Sequence, residues 1–251
     1  MGMIQWPDAY GRRVLDEVDS TLNEAARIAP GLAGPEWIMA HRQTAARGRR
    51  GRAWANPEGN LAATLVLFPQ EPPGVAALRS FVASLALYDA CVAVCGRSDG
   101  FALKWPNDVL LNGGKLAGIL LESSGQGPHM GHLAIGIGVN LADAPTPDKV
   151  EPGAVPPVSL LSSTGARVDP ETFLTFLADA YARHESAFTT YGFEPIRTAW
   201  LNRAARLGEV ITARTGNSET TGTFETVDAQ GNLVLNTSRG RTSIPAADVF
   251  F

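Results

Sequence analysis

Two groups of residues in this chain have types and spacing suited to chemistry on an anion. The first is RQTAARGRRGRAWANP, Arg42 to Pro57, which sets Arg42, Arg47, Arg49, Arg50 and Arg52 within eleven residues and has no carboxylate among them. The chain holds 21 basic and 25 acidic residues, so removing these five arginines leaves 16 against 25. The segment is an island of positive charge. Gly48 and Gly51 interrupt helical and strand periodicity alike, so it reads as a mobile surface loop, and on this stretch alone a solvated charge run and a nucleic-acid patch are both open. The second group is KWPND, Lys104 to Asp108, followed by the turn NGG and Lys115. Asn-Gly between apolar runs is a strong hairpin signal. With the turn at Asn112–Gly113, Leu110 faces Lys115; with Gly113–Gly114, Asn112 does. In both registers Asp108 and Lys115 share a face, because side chains alternate with period two, whereas a three-residue loop would separate them. Ala117 is expected on that face too, leaving room for a ligand. The commoner use of such a pair is a surface salt bridge.

Composition and spacing exclude several classes. At 251 residues and 45% apolar content the chain can bury a large core, as one domain or one domain with a small appendage. An acidic chain is a poor dedicated nucleic-acid binder, which favours a small anion as the partner of the arginine island. GIGVNL has Leu141 where a dinucleotide fingerprint needs its third glycine. NGGKL has Val109 and Leu116 where a phosphate loop needs Gly and Ser or Thr. His129 and His132 have no third ligand near them and read as solvated histidines. Cys91 and Cys95, four apart in an apolar helical segment, read as reduced packing residues. The N-terminus lacks the apolar core of a signal peptide, and no apolar run approaches the ~20 residues of a membrane span. A cytoplasmic protein without membrane contact is expected.

The elements that must carry these groups alternate between helix and strand, with no internal repeat. STLNEAARIA reads as a short helix with Thr21 and Glu24 in capping-box spacing. EWIMAH and NLAATLVLF read as strands flanking the arginine loop, and Pro72–Pro73–Gly74 opens a long apolar helix to about Cys95. Strand, strand, tight turn and strand follow from Phe101, then the buried strand HLAIGIGVNL and the Pro-rich loop DAPTPDKVEPGAVPP. Two helices, from Pro170 and from Phe193, close the main domain. From Arg206 short β-branched runs between turn residues indicate a small β-barrel. The expected domains are 1–205 and 206–251, the second small enough to need docking on the first.

DST (Asp19 to Thr21), RGRRGRAW (Arg47 to Trp54), KWPNDV (Lys104 to Val109), GKLAGILLE (Gly114 to Glu122) and GIGVNL (Gly136 to Leu141) occur in the order and spacing of biotin–protein ligases. From about Asp16 to the C-terminus, DAQGNLVL included, the chain resembles that family. The resemblance implies an α+β fold: a mixed β-sheet flanked by helices, class II synthetase-like, with a small C-terminal SH3-like β-barrel. It implies a ligase that converts biotin and ATP to biotinyl-5'-AMP and pyrophosphate, then transfers biotin to a lysine of a biotin carboxyl carrier protein. The arginine island becomes a lid, since preorganised guanidinium forks offset the repulsion between a carboxylate and a triphosphate. Carried over by position, Ser20, Thr21, Gln43, Arg47, Gly48, Arg49, Lys115 and Gly118 border biotin. Arg49, Arg52, Trp54, Asn107, Lys115 and Asn140 border ATP and the adenylate. Lys115, Arg49, Arg47 and Asp108 form the catalytic set, with Asp108 also a candidate for placing Mg2+.

Two residues depart from the family pattern: Ala46 stands where glycine is usual, which stiffens the lid if that position needs positive φ, and Leu22 follows DST where Asn is common. The stretch before Asp19 is too short for the winged DNA-binding domain of bifunctional relatives, so a ligase without DNA binding is expected. A homodimer stays open. The alternatives are a lipoate or octanoate ligase on the same fold, and a non-catalytic nucleic-acid-binding protein.

Overall fold

The computed structural model describes residues 4–126, 129–146, 155–215, 218–245 and 247–250. The main sheet holds β1 (Gly11–Val18), β2 (Glu36–Gln43), β3 (Leu61–Leu67), β4 (Phe101–Lys104), β5 (Asp108–Leu111), β6 (Gly114–Gln126) and β7 (His129–Val139). Their order is β1-β2-β3-β7-β6-β5-β4; β1 and β2 are parallel and the other pairs antiparallel. Helix α1 (Thr21–Ile28) connects β1 to β2. Helices α2 (Pro73–Ala76), α3 (Arg79–Cys95), α4 (Leu160–Thr164), α5 (Pro170–Tyr191) and α6 (Phe193–Leu201) complete the domain. A second sheet, β8 (Val210–Thr215), β9 (Ser218–Val227), β10 (Leu233–Thr237), β11 (Gly240–Ile244) and β12 (Asp248–Phe250), is antiparallel in the order β11-β10-β9-β8-β12. The α+β class, the mixed flanked sheet and the small SH3-like C-terminal β unit are as expected.

Period two decides which side of the main sheet is core. Trp37 and Met39 on β2, Leu61 and Leu65 on β3, and Ile135, Ile137 and Val139 on β7 pack with α3, α5 and α6 in one continuous cluster. Their alternates, Ile38, Val66 and Ala134, face α1 in a much smaller cluster. Eight residues of α1 cannot cover seven strands, so part of that second face stays open. Helix α3 is apolar all round because it is buried in the large cluster, with Cys91 a free thiol inside it.

Some local expectations need correction. The N-cap of α1 is Ser20, whose hydroxyl accepts from the Leu22 amide at 3.3 Å, so the helix starts one residue earlier than a Thr21–Glu24 box requires. The long apolar helix is broken at Ala77–Leu78 into α2 and α3. Gly231 of the C-terminal sheet seats on Leu78 and Phe81 beside this break. Strand β1 and helix α4 carry no clear sequence signal: β1 is a mostly exposed edge rich in charge, and α4 is five residues long. Of the Pro-rich loop, residues 147–154 lie outside the described residues.

The C-terminal sheet docks through backbone and core together. Just ahead of it, the last residues of the main domain are tied down, Leu103 on β4 exchanging backbone hydrogen bonds with Arg203 and Ala205 at 2.8 and 2.7 Å. Trp105 Nε1 donates to the Gly231 carbonyl at 3.0 Å, and Arg197 Nη1 to that of Val227 at 2.9 Å. Phe224, Leu233 and Leu235 join the main apolar cluster. Gly231 has φ +81°, and an added Cβ would lie 2.9 Å from Leu78. Gly231→Ala is therefore expected to destabilise by about 1–3 kcal/mol, from backbone strain and overpacking combined. Thermal unfolding checks this; an unchanged Tm would show that the turn does not seat there.

Candidate active site

The open part of the second sheet face is a cleft of about 770 Å3. Its floor is made where β6 and β7 place small residues: Gly118 pairs with Gly138, and Gly136 lies two residues along. The neighbours in sequence, Ala117, Ile119, Ile137 and Val139, point into the core. The indole of Trp54 lies on this floor, and a Cβ added to Gly138 would come within 2.6 Å of it. Leu22 stands over Gly136 in the same way, at 2.9 Å. Glycine is required here by close approach.

One end of the cleft is polar. Gln43 Oε1 accepts from the Thr21 amide at 2.8 Å and from its hydroxyl at 3.2 Å, while Thr64 Oγ1 donates to Thr21 Oγ1 at 2.9 Å. Ser20, Thr21 and Thr64 are buried, and Leu22 and Ala63 supply apolar wall beside them. Such an end suits a compact ligand with hydrogen-bonding groups on one edge and apolar surface on the other.

The middle belongs to the hairpin. Asn112 and Gly113 both have positive φ, 51° and 78°, the two-residue turn that sets Leu110 opposite Lys115. Lys115 Nζ lies 2.8 Å from Asp108 Oδ1 and 5.6 Å from the centre of the Trp54 ring. Ala117 does not share their face. A bulge between Val109 and Leu110 leaves Leu116 as the extra residue, so Ala117 pairs with Val109 in the core and Gly118 takes the place opposite Asp108. The Lys115 backbone is clamped by Pro156 and Val158, bonded at 2.8 and 3.0 Å, and Asn140 Nδ2 donates to the Val158 and Lys115 carbonyls at 3.1 and 3.5 Å. Lys104, cross-strand from Asp108, also lines the cleft. Burial lowers its pKa, against the pull of Asp108.

The arginine island is more ordered than a mobile loop. Arg47 and Ala53 form an antiparallel bridge, the Gly48 amide donates to the Arg52 carbonyl at 2.7 Å, and that of Trp54 to Ala46 at 3.1 Å. Ala46 has no positive φ, so its departure from glycine brings no strain. Arg47 forks onto Glu122 at 2.8 and 3.2 Å and donates to Asn23 at 2.6 Å. Arg49 reaches Asn107 at 3.5 Å and the Ala247 carbonyl at 3.4 Å, and Asn107 in turn donates to the Ile119 carbonyl. Burial lowers the Arg49 pKa, with Asp248 and Asp108 opposing. Arg42 alone turns away, to Glu17.

Every residue expected at a site from sequence lines this one cleft: Ser20, Thr21 and Gln43 at the polar end, Arg47, Gly48, Arg49, Arg52 and Trp54 on the loop, Asn107, Asp108, Lys115, Gly118 and Asn140 on the sheet. The anion-facing guanidinium of Arg47 is here turned to a protein carboxylate. Sequence reading missed Thr64, Asn23, Glu122 and Asp248, the partners that hold these side chains. Their only signal is that cations packed this closely need counter-charges. His132 is not solvated: it is buried, its Nδ1 2.7 Å from Ser124 Oγ, and burial lowers its pKa. The side chain of His129 lies outside the described residues. Among the described residues no three His, Cys, Asp or Glu side chains cluster to hold a metal.

Comparisons with known proteins bear on the family and the fold. Residues 13–140 match the Biotin/lipoate A/B protein ligase family, and residues 207–251 the Biotin protein ligase C terminal domain. The chain is 59% identical to the biotin--[acetyl-CoA-carboxylase] ligase of Paracoccus denitrificans, over 95% of this chain and 99% of that one. It is 31% identical to the bifunctional ligase/repressor BirA of Bacillus subtilis, over 93% of this chain and 72% of that protein. Among solved structures, the biotin protein ligase of Aquifex aeolicus in complex with biotin and ATP superposes with a TM-score of 0.81 at 26% identity, covering 95% of this chain and 97% of that one.

The glycine floor makes a structural prediction. Gly138→Ala is expected to lift the Trp54 indole, raising its acrylamide quenching, read as the difference from the same variant carrying Trp54→Phe. Unchanged quenching would mean that the indole does not rest there.

Proposed function

The chain belongs to the biotin/lipoate A/B protein ligase family, and from that premise we propose that it activates biotin with ATP and transfers it to a lysine of a biotin carboxyl carrier protein. A biotin carboxylate oxygen attacks the α-phosphorus of ATP, and the bond to pyrophosphate breaks. The carrier's lysine amine then attacks the carbonyl of the mixed anhydride, AMP leaves and the amine loses a proton. The observation that carries the reading is Lys115. Its ammonium sits over a glycine floor between the buried Ser20–Thr21–Gln43 end and the arginine loop, where a carboxylate and a phosphate must meet. A fixed cation stabilises charge that develops between two anions without reorganising during the reaction.

On this reading Ser20, Thr21 and Gln43 hold the biotin rings, and Gly118 leaves room for the acyl chain. Lys115 bridges the carboxylate and the α-phosphate, with Asp108 fixing its direction. Arg47, Gly48 and Arg49 lie along the carboxylate and phosphate. Arg52 and Trp54 close over the nucleotide, which Asn107 and Asn140 border while bracing Arg49 and Lys115. Were a magnesium ion brought in with ATP, Asp108 would be the residue to hold it, and the ion would supply charge neutralisation at the phosphates. Catalytic chemistry belongs to residues 1–205, and 206–251 form the docked β domain. Two free thiols, Cys91 and Cys95, suit a reducing cytoplasm. The loop arginines are paired with Glu122 and Asp248, so the loop is not the uncompensated basic face that nucleic-acid binding uses.

Pyrophosphate release with biotin, lipoate or octanoate as the acid tests the reading, with release expected for biotin alone. Lys115→Ala should lower it by about 10²–10³-fold, the usual size of one lost electrostatic contact at a transition state, while Tm barely moves. Release by lipoate as fast as by biotin, or an active Lys115→Ala enzyme, would overturn it.

A further inference from the structure

Asp248 opens β12, the last strand, and its sheet is joined to the cleft by the arginine loop. Three arginines of that loop converge on its carboxylate: Arg50 at 2.7 Å, Arg52 at 3.3 Å and Arg49 at 3.6 Å. The carboxylate is largely covered, at 16% exposure, while Arg49 is half-buried and Arg50 and Arg52 reach it from the solvent side. The loop backbone is bent to make them. Arg50 has φ 56°, a left-handed value that a side-chain-bearing residue adopts only when its surroundings hold it there, and Gly51 follows at 72°. The other end of the loop is fastened independently, Arg47 to Glu122 and Asn23 on the main domain. The neighbouring cation on β8, Arg214, pairs with Glu219 at 2.6 Å.

Resting on the ligase reading above, we propose that Asp248 is a positioning residue: from the C-terminal sheet it latches the tip of the arginine loop over the cleft, so that biotinyl-adenylate is kept until the carrier arrives. Asp248 touches no reacting atom. Its removal would leave Arg49, Arg50 and Arg52 crowded without their shared counter-charge, and the tip would lift while the base stayed fastened by Arg47. Adenylate synthesis needs closure for one turnover; retention needs it continuously. The latch therefore acts on retention more than on synthesis.

The test uses Asp248→Asn, which keeps shape and removes charge, and Asp248→Glu, which keeps charge. Tryptic cleavage within residues 47–52 of the ligand-free protein reads loop opening without reference to any substrate. Asp248→Asn is expected to be cut at least about tenfold faster than wild type, because cleavage tracks the population of the locally opened form. Asp248→Glu should be cut at close to the wild-type rate. With biotin and ATP, Asp248→Asn should label lysines of a bystander protein about tenfold more than wild type for equal pyrophosphate formed. Equal cleavage of wild type and Asp248→Asn would overturn the latch, as would equal loss from both substitutions together with a lowered Tm, which marks a merely structural role. The cleavage difference between Asp248→Asn and wild type, found together with no pyrophosphate release by wild type with biotin, would instead sink the ligase reading.

Discussion

Bringing a carboxylate and a polyphosphate into contact requires cations gathered in a small volume, and those cations repel one another until something negative separates them. At about 4 Å and an effective dielectric near 20 the bare Coulomb repulsion between two cations is about 4 kcal/mol before solvent screening, enough to keep them apart unless a counter-charge lies close by. The cations of this cleft are accordingly held by protein anions: Lys115 by Asp108, Arg47 by Glu122, and the loop tip by Asp248. The guanidinium forks and the ammonium are gathered on these carboxylates before any ligand arrives, so folding has already offset their mutual repulsion.

The same constraint explains the asymmetric sheet. One face is filled by α3, α5 and α6 with large side chains, and it supplies rigidity. The other is covered by α1 and by Trp54 of the arginine loop and bears Gly118, Gly136 and Gly138, so the indole and Leu22 approach bare backbone and the cleft stays shallow-walled beside them. A single bulge at the start of β6 converts the regular alternation into this layout, turning Ala117 inward and leaving Gly118 beside Lys115. One extra residue decides which side chain meets the ligand.

Sequence made the cleft legible to the extent that its parts are local. The Asn-Gly turn fixed the pairing of Leu110 with Lys115, and period two then put Asp108 on the same face. The alternation Ala134, Ile135, Gly136, Ile137, Gly138 already contains both faces of β7. What stayed hidden is non-local. Asp248 lies about two hundred residues from the arginines it holds, between small and apolar residues, and looks like any acid in a tail. The bulge that displaced Ala117 has no signature beyond glycines that serve elsewhere too. Order in the arginine loop was missed because Arg50 takes a left-handed conformation that its residue type does not advertise. His132 looked solvated from its glycine neighbours, yet it is buried on β7 and bonded to Ser124 of the adjacent strand.

Hydrogen exchange across residues 42–54, measured with biotin and a non-hydrolysable ATP analogue separately and together, tests most directly whether the arginine loop is a lid over an acyl-adenylate. Exchange should slow strongly only when both are present, and biotin alone should protect mainly the start of α1. Exchange in the loop that ignores the pair, or that slows with an oligonucleotide instead, would contradict it.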